Sequence, residues 1–286
     1  RLMRLPWPGL SWPQATWLCL ALLKACTMSF DLVPELSAEA ALDLSAADTA
    51  ADTTPTAVPG AEFTALGLSA DLVRAITHAG YTAPTDVQAR AVPVAMTGRD
   101  LLVSSQTGSG KTAAFVWPAL ERILAARQDP AKKRAKGQAF GPRVLVLAPT
   151  RELAQQVSRA CTVYGHNVSG LRVAHVVGGV PYQAQLKALR GPLDLLIATP
   201  GRLMDLMNSG AAILANVELL VLDEADRMLD MGFIDDINLI AQSLPATRQT
   251  MMFSATFDGS VGHLASQLTR EAQRISVDKH TDTHAS

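Results

Sequence analysis

The 286-residue chain is poor in aromatics (5%) and in charge (18%), the latter below the roughly 25% usual for globular proteins. Its apolar share of 48% is ordinary, so disorder along the whole chain, a coiled coil and a collagen-like repeat are all excluded. No apolar run reaches the ~18 residues expected of a transmembrane helix, so no membrane partner is expected. Cysteine is scarce and unpatterned: Cys19, Cys26 and Cys161 form no C-x-x-C pair. A disulfide scaffold and a Cys-rich zinc site are therefore not expected, and a reducing, cytoplasmic setting fits best. His280 and His284 have a metal-like spacing in a polar tail but lack partners at ligand spacing, so zinc is not expected there either. The net charge of −1 gives nucleic acid no electrostatic footprint by itself.

That average conceals a division. Residues 1–24 carry three bases and no acid, residues 25–73 carry eight acids and no Lys or Arg, and residues 74–286 carry 22 bases and 18 acids. A mildly basic body follows an acidic leader, which leaves nucleic acid open as a partner. Residues 35–61 are Ala-, Asp-, Thr- and Pro-rich, so 1–62 is expected to be a disordered leader. Met28 reads as a native start, making 1–27 non-native upstream sequence. The competing reading, a signal peptide over Trp17–Leu23, is disfavoured by its short apolar run and by the missing cleavage site.

From Phe63 onward, apolar runs alternate with helical stretches. Strands are expected at 100–104, 144–148, 173–177, 193–198, 219–222, 250–253 and 275–277. Helices are expected at 111–125, 152–164, 182–189, 201–207 and 233–243, with one more after Thr256. Near-continuous apolar strands separated by helices predict an α/β fold, a mostly parallel sheet covered on both faces. Ligands of such sheets bind at the carboxyl ends of the strands.

Two of those ends carry chemistry. Ser105-Gln106-Thr107-Gly108-Ser109-Gly110-Lys111-Thr112 follows a strand and opens a helix, as a P-loop does. Backbone N–H groups there cradle phosphates, Lys111 neutralises them, and the Thr112 hydroxyl ligates Mg²⁺. Ser105 stands where the pattern has its first glycine. The second signal is Asp223-Glu224-Ala225-Asp226 after an apolar strand. Alone it reads as a helix N-terminus. Beside a P-loop, Asp223 is expected to hold Mg²⁺ through water and Glu224 to activate the attacking water.

With these motifs in view, residues 63–278 resemble the amino-terminal RecA-like lobe of a DEAD-box RNA helicase. Gly80 through Gln88 resembles the Q motif, with Phe63 seventeen positions upstream and Tyr81 replacing the usual Phe. Pro149–Ala154, Gly178-Gly179, Thr199–Arg202 and Ser254-Ala255-Thr256 resemble motif Ia, the GG element, motif Ib and motif III. The alanine-rich chain looks most like bacterial members.

The resemblance implies ATP and Mg²⁺ as cofactors. Gln88 is implied to read the adenine edge, Phe63 to stack on the base, Tyr81 to keep the ring of the Q motif, and Thr85 to support the P-loop. Thr150, Arg151, Gly179, Thr199, Gly201 and Arg202 are implied to grip an RNA backbone without reading bases. Arg151 and Arg202 taken alone also read as structural ion-pair partners. Glu152 is expected to brace these loops, because a carboxylate facing phosphate repels it. Ser254 and Thr256 are expected to bond the Asp223–Asp226 loop and couple hydrolysis to unwinding. The run Lys132–Lys136 reads as a solvated loop, and Met228, Met231 and Phe233 as packing.

Nothing after Thr256 resembles the family's second lobe, with 279–286 a polar tail toward it. The chain alone is therefore expected to bind nucleotide with little turnover. Two other readings stay open: a non-enzymatic ATP-binding module that docks to another chain, and a related superfamily-2 ATPase acting on DNA.

Overall fold

A computed structural model describes residues 60–106, 108–132 and 141–277. Residues 1–59 of the expected leader and all of the tail 279–286, with its two histidines, lie outside the described residues.

Among the described residues, seven strands form one sheet: β1 (Leu101–Ser104), β2 (Val144–Leu147), β3 (Val173–Val176), β4 (Leu195–Ala198), β5 (Leu219–Leu222), β6 (Gln249–Ser254) and β7 (Gln273–Ser276). Every pairing is parallel, in the order β3-β4-β2-β5-β6-β1-β7. The helices are α1 (Ala61–Ala65), α2 (Ala70–His78), α3 (Asp86–Met96), α4 (Lys111–Gln128), α5 (Arg151–Tyr164), α6 (Tyr182–Leu189), α7 (Pro200–Asn208), α8 (Ala225–Asp230), α9 (Ile234–Gln242) and α10 (Gly259–Leu268). Each expected strand and helix is present with ends shifted by a few residues. The sequence pattern did not mark α1, α2, α3 and α8: α1 and α8 are short, and α3 carries Pro93 in its interior.

The period of two along each strand sends alternate side chains to opposite faces. Val144, Val146, Leu195, Ile197, Leu219, Val221, Met251 and Phe253 face one core, beneath α3, α4 and α5. Leu145, Leu147, Leu196, Leu220, Leu222 and Met252 face the other, packed by α7, α9 and α10. Both faces are covered, which explains why the strands read as continuous apolar runs.

Asp100, expected to begin the first strand, stands just before it and is buried. Its carboxylate accepts the backbone N–H groups of Thr250 and Arg270, each at 2.7 Å, and so pins β1 to the entries of β6 and β7. Charge-assisted bonds of this kind are the strong ones.

Aromatics are few but gathered. Phe63 meets Trp117 edge-on with centroids 5.5 Å apart, and Tyr81 and Tyr164 pack on the same indole at 6.4 and 5.8 Å. The Tyr164 hydroxyl donates to that of Tyr81 at 2.8 Å, and burial with this contact holds the Tyr164 phenol above its ordinary range. Tyr81→Phe is expected to cost about 1 kcal/mol, the usual net worth of one such bond. For a domain of this size that lowers Tm by about 2–4 °C. Thermal unfolding followed by circular dichroism checks it; an unchanged Tm would mean that the replaced phenylalanine of the family pattern makes no difference here. Cys161 lies buried in the same core, its thiol pushed up to about 12 by desolvation, and is chemically quiet.

Candidate functional site

The strand order sorts the motifs. β1, β5 and β6 lie side by side and end in the Gly-rich loop, the acidic turn and Ser254-Ala255-Thr256, while β2, β4 and β3 form the other flank and end in Thr150-Arg151, Thr199–Arg202 and Gly178-Gly179. Two halves thus share one edge, with β5 at their seam.

On the first half, the loop after β1 turns through left-handed glycines, Gly108 at φ 81° and Gly110 at φ 91°. Ser109 Oγ lies 3.1 Å from Ser105 Oγ and 2.9 Å from the Gln106 carbonyl, so the serine in the first-glycine position ties the loop internally. α3 braces it from outside: Thr85 Oγ1 donates to Ser109 O at 2.9 Å and Gln88 Nε2 to Gly110 O at 3.2 Å, while Gln88 Oε1 accepts the Thr85 N–H at 2.9 Å. Lys111 is 8% exposed, and its ammonium donates to Ser105 O at 3.1 Å.

Facing it, β5 delivers Asp223, 4% exposed. Burial pushes its carboxyl up to about 6; Lys111 opposes that rise, and the Glu224 and Asp226 charges add to it. Glu224 takes a left-handed backbone at φ 52°, a strain of about 1–2 kcal/mol for a residue with a Cβ. Its carboxylate lies 3.3 Å from Arg227. Asp226 Oδ2 accepts the Ala255 N–H at 3.1 Å, and Ser104 Oγ donates to the Ala255 carbonyl at 2.9 Å. Ser254 Oγ is buried and, among the described residues, without a hydrogen-bond partner.

On the second half, Thr150 caps α5 by accepting the Leu153 N–H at 3.3 Å, and Thr199 precedes Pro200 at the start of α7. Gly179 has φ 74°, and a Cβ there would lie 3.1 Å from Arg151 Nη1. Arg202 Nη1 donates to Val180 O at 3.1 Å, and its guanidinium carbon sits 5.8 Å from the centre of the Tyr182 ring.

The family model described as DEAD/DEAH box helicase matches residues 85–264, a span that holds both halves of this edge. The chain belongs to that family. It is similar to the ATP-dependent RNA helicase DeaD of Klebsiella pneumoniae, 41% identical over 221 residues that make up 77% of this chain and 32% of that protein. It is also similar to the probable ATP-dependent RNA helicase ddx27 of Dictyostelium discoideum, 45% identical over 220 residues, 76% of this chain and 26% of that one. A solved structure, that of a hypothetical ATP-dependent RNA helicase from Sulfolobus tokodaii, superposes with a TM-score of 0.64 at 34% identity, covering 73% of this chain and 57% of the other. The fold is thus the expected RecA-like α/β architecture. The chain spans about a quarter to a third of the length of these two relatives. They come from a bacterium and a eukaryote, so they do not assign the chain to bacteria.

Within this DEAD-box lobe, the structure brings Gln106, Gly108, Ser109, Gly110, Lys111, Thr112, Asp223 and Glu224 to one edge; Thr107 lies outside the described residues. Two expectations change. Phe63 is wholly buried against Trp117, so in this conformation its ring is core packing with no face open for a base. Gln88 is 1% exposed with both amide ends engaged, so here it braces the P-loop instead of offering its amide to an adenine. Thr85 donates its hydroxyl to Ser109 O of the loop.

The link from Asp226 to motif III also runs differently. It passes through the Ala255 N–H, whereas Thr256 is exposed and Ser254 Oγ makes no bond among the described residues. Thr150, Arg151, Gly179, Thr199, Gly201 and Arg202 do share the second half, although Arg202 already spends a donor on Val180. Glu152 lies 3.4 Å from Arg151. Lys132 pairs with Glu218 at 3.7 Å just ahead of β5, at the opposite edge of the sheet; Lys133, Arg134 and Lys136 lie outside the described residues. Met228 is buried and Met231 is exposed.

Sequence reasoning missed Ser104 and Gln185. Gln185 was detectable as a lone polar residue on the apolar stripe of Tyr182, Leu186 and Leu189.

Proposed function

We propose that this chain is the ATP-binding lobe of an ATP-dependent RNA helicase, and that Lys111, Thr112 and the Gly-rich loop hold Mg²⁺-ATP opposite Asp223 and Glu224. The observation that carries this reading is that the left-handed Gly-rich loop with buried Lys111 after β1 and the buried Asp223 after β5 lie on one edge of the sheet, with β6 between them. The residues fit that ligand. Left-handed Gly108 and Gly110 keep side chains off the loop, where N–H groups at a helix start receive anions. Asp223, pushed up to about 6, is a desolvated carboxyl that a divalent cation would keep ionised. Among the described residues, Ser254 Oγ is a buried donor without a partner.

Bound Mg²⁺-ATP supplies the transferable phosphoryl group and the positive charge that offsets its developing negative charge. Lys111 would add a second positive charge, Asp223 through water and Thr112 would hold the metal, and Glu224 would orient the attacking water and take its proton at a carboxylate oxygen. Asp226, through the Ala255 N–H, ties that acidic turn to motif III within the nucleotide half of the edge.

The second half grips one RNA strand by its backbone, through Arg151, Arg202 and the open approach at Gly179, with hydroxyls from Thr150 and Thr199. Such contacts position a strand and carry no sequence information. A second RecA-like lobe is the partner that supplies arginines to the γ-phosphate, and these contribute about 10³–10⁵ in rate in comparable phosphoryl transfers. The 286 residues alone are therefore expected to bind nucleotide and turn it over slowly. Among the described residues no helix is long and apolar enough to cross a membrane, and the scattered spacing of the three cysteines in the sequence supports a cytoplasmic setting as part of this reading.

The test is titration calorimetry of the chain with Mg²⁺-ATP and Mg²⁺-GTP; no binding of either would overturn the reading. The same titrations with Gln88→Ala separate two roles. Because the amide is spent on Gly110 and Thr85, we expect ATP and GTP to weaken alike, each by about tenfold for one lost brace of ~1.4 kcal/mol. A loss confined to ATP would show that the amide leaves the loop to read adenine.

A further inference from the structure

Gln185 is 3% exposed on α6, where its neighbours Tyr182, Leu186 and Leu189 pack onto the second core. A buried amide in such a stripe persists only when its hydrogen bonds are met. All three of its bonds go to the loop after β3. Oε1 accepts the Val177 N–H at 3.0 Å, and Nε2 donates to Val177 O at 3.1 Å and to Val180 O at 3.0 Å. The amide therefore closes on both ends of Gly178-Gly179, standing in for the strand partner that this stretch lacks. Acceptor on N–H and donor on two carbonyls also fixes which way the amide faces.

The loop so held is where the second half converges. Gly179 sits at φ 74° with Arg151 Nη1 3.1 Å from its Cβ position, and Arg202 Nη1 shares the Val180 carbonyl with Gln185 at 3.1 Å. Gly178 and Gly179 are exposed and Gln185 is not. The side chain that shapes the loop is thus distinct from the groups that face solvent.

We propose that Gln185 is a positioning residue for the single-strand grip. It sets the Gly178-Gly179 loop so that Arg151 and Arg202 present their remaining N–H groups to neighbouring phosphates of one RNA strand. This rests on the RNA reading of Arg151 and Arg202 given above. Gln185→Met keeps the length and removes all three bonds, which leaves Val177 and Val180 to seek water and frees the anchor shared by Arg202. When a protein neutralises one phosphate fewer on a single strand, the slope of log affinity against log salt falls by about 0.7. Loosened packing alone leaves that slope unchanged.

The experiment measures fluorescence anisotropy of a labelled single-stranded oligouridine against the 286-residue chain over a salt series, with a non-hydrolysable ATP analogue present. A fluorescent ADP analogue is titrated in parallel. For Gln185→Met we expect RNA affinity about tenfold lower, the scale of one charge-assisted hydrogen bond, a salt slope shallower by ~0.7, and unchanged nucleotide affinity. Arg151→Ala is the reference. If it weakens RNA while Gln185→Met does not, the positioning role is overturned and the RNA reading stands. If Arg151→Ala leaves RNA binding intact, or the native chain binds no RNA, the RNA reading falls and takes this proposal with it. A parallel fall in RNA and nucleotide affinity at unchanged slope also overturns the positioning role. Should Gln185→Met fail to fold, Gln185→Asn, one methylene too short to reach both ends of the loop, carries the same comparison.

Discussion

Lys111→Met is expected to weaken Mg²⁺-ATP binding by about 100-fold, or ~2.7 kcal/mol, while the chain still folds. A hydrogen bond to a charged group has a net worth of about 1.5–3 kcal/mol, and the position of Lys111 argues for the upper end. Its ammonium is buried in the floor of the loop and makes one hydrogen bond among the described residues, to Ser105 O. Two of its three donors are left for a ligand. The same ammonium offsets the rise of Asp223, so methionine also deprives that carboxyl of its positive neighbour and weakens its hold on a cation. Methionine keeps the apolar stem that packs at the start of α4, which separates lost charge from lost packing. Calorimetric titration with Mg²⁺-ATP reads the effect, with circular dichroism confirming the fold. Affinity within threefold of the native chain would mean that the Gly-rich loop is not the nucleotide site.

What could be read in advance was whatever the chain writes locally. The strands were legible because burial on both faces makes them unbroken runs such as Leu219-Leu220-Val221-Leu222. The site was legible as a set of strand-end loops because parallel sheets concentrate function there. Contacts that join distant positions were not. Gln88 meets Gly110 across 22 residues and Asp226 meets Ala255 across 29, and no pattern of spacing announces either. Phe63 illustrates the same limit: its place in the motif suggested a ring free to stack, whereas α4 brings Trp117 against it and encloses it in the core. α3 escaped notice because Pro93 interrupts its interior.

Gly110→Ala is expected to destabilise the lobe by about 3 kcal/mol, and Gln88→Ala to restore part of that loss. Two costs add in the single variant. At φ 91° an alanine carries a backbone strain of about 1–2 kcal/mol. Its Cβ would also sit 2.5 Å from Gln88 Nε2 and 2.9 Å from Thr85 Oγ1, so the brace must move. Gln88, 1% exposed and bonded at both amide ends, has little room to turn without leaving Gly110 O or the Thr85 N–H unpaired, a cost of about 1–3 kcal/mol. For a domain of this size the sum lowers Tm by roughly 6–12 °C. Trimming Gln88 to alanine removes the nearest clashing atom while leaving the strain, so the double variant should unfold above the temperature that additive effects give. Coupling between side chains in contact is about 0.5–3 kcal/mol. Thermal unfolding of the two single variants and the double one measures it. Strict additivity would show that Gln88 yields freely to a Cβ and that the brace between α3 and the P-loop is slack. Positive coupling would mean that the absence of a side chain at Gly110 is dictated by α3 as much as by the phosphates the loop receives.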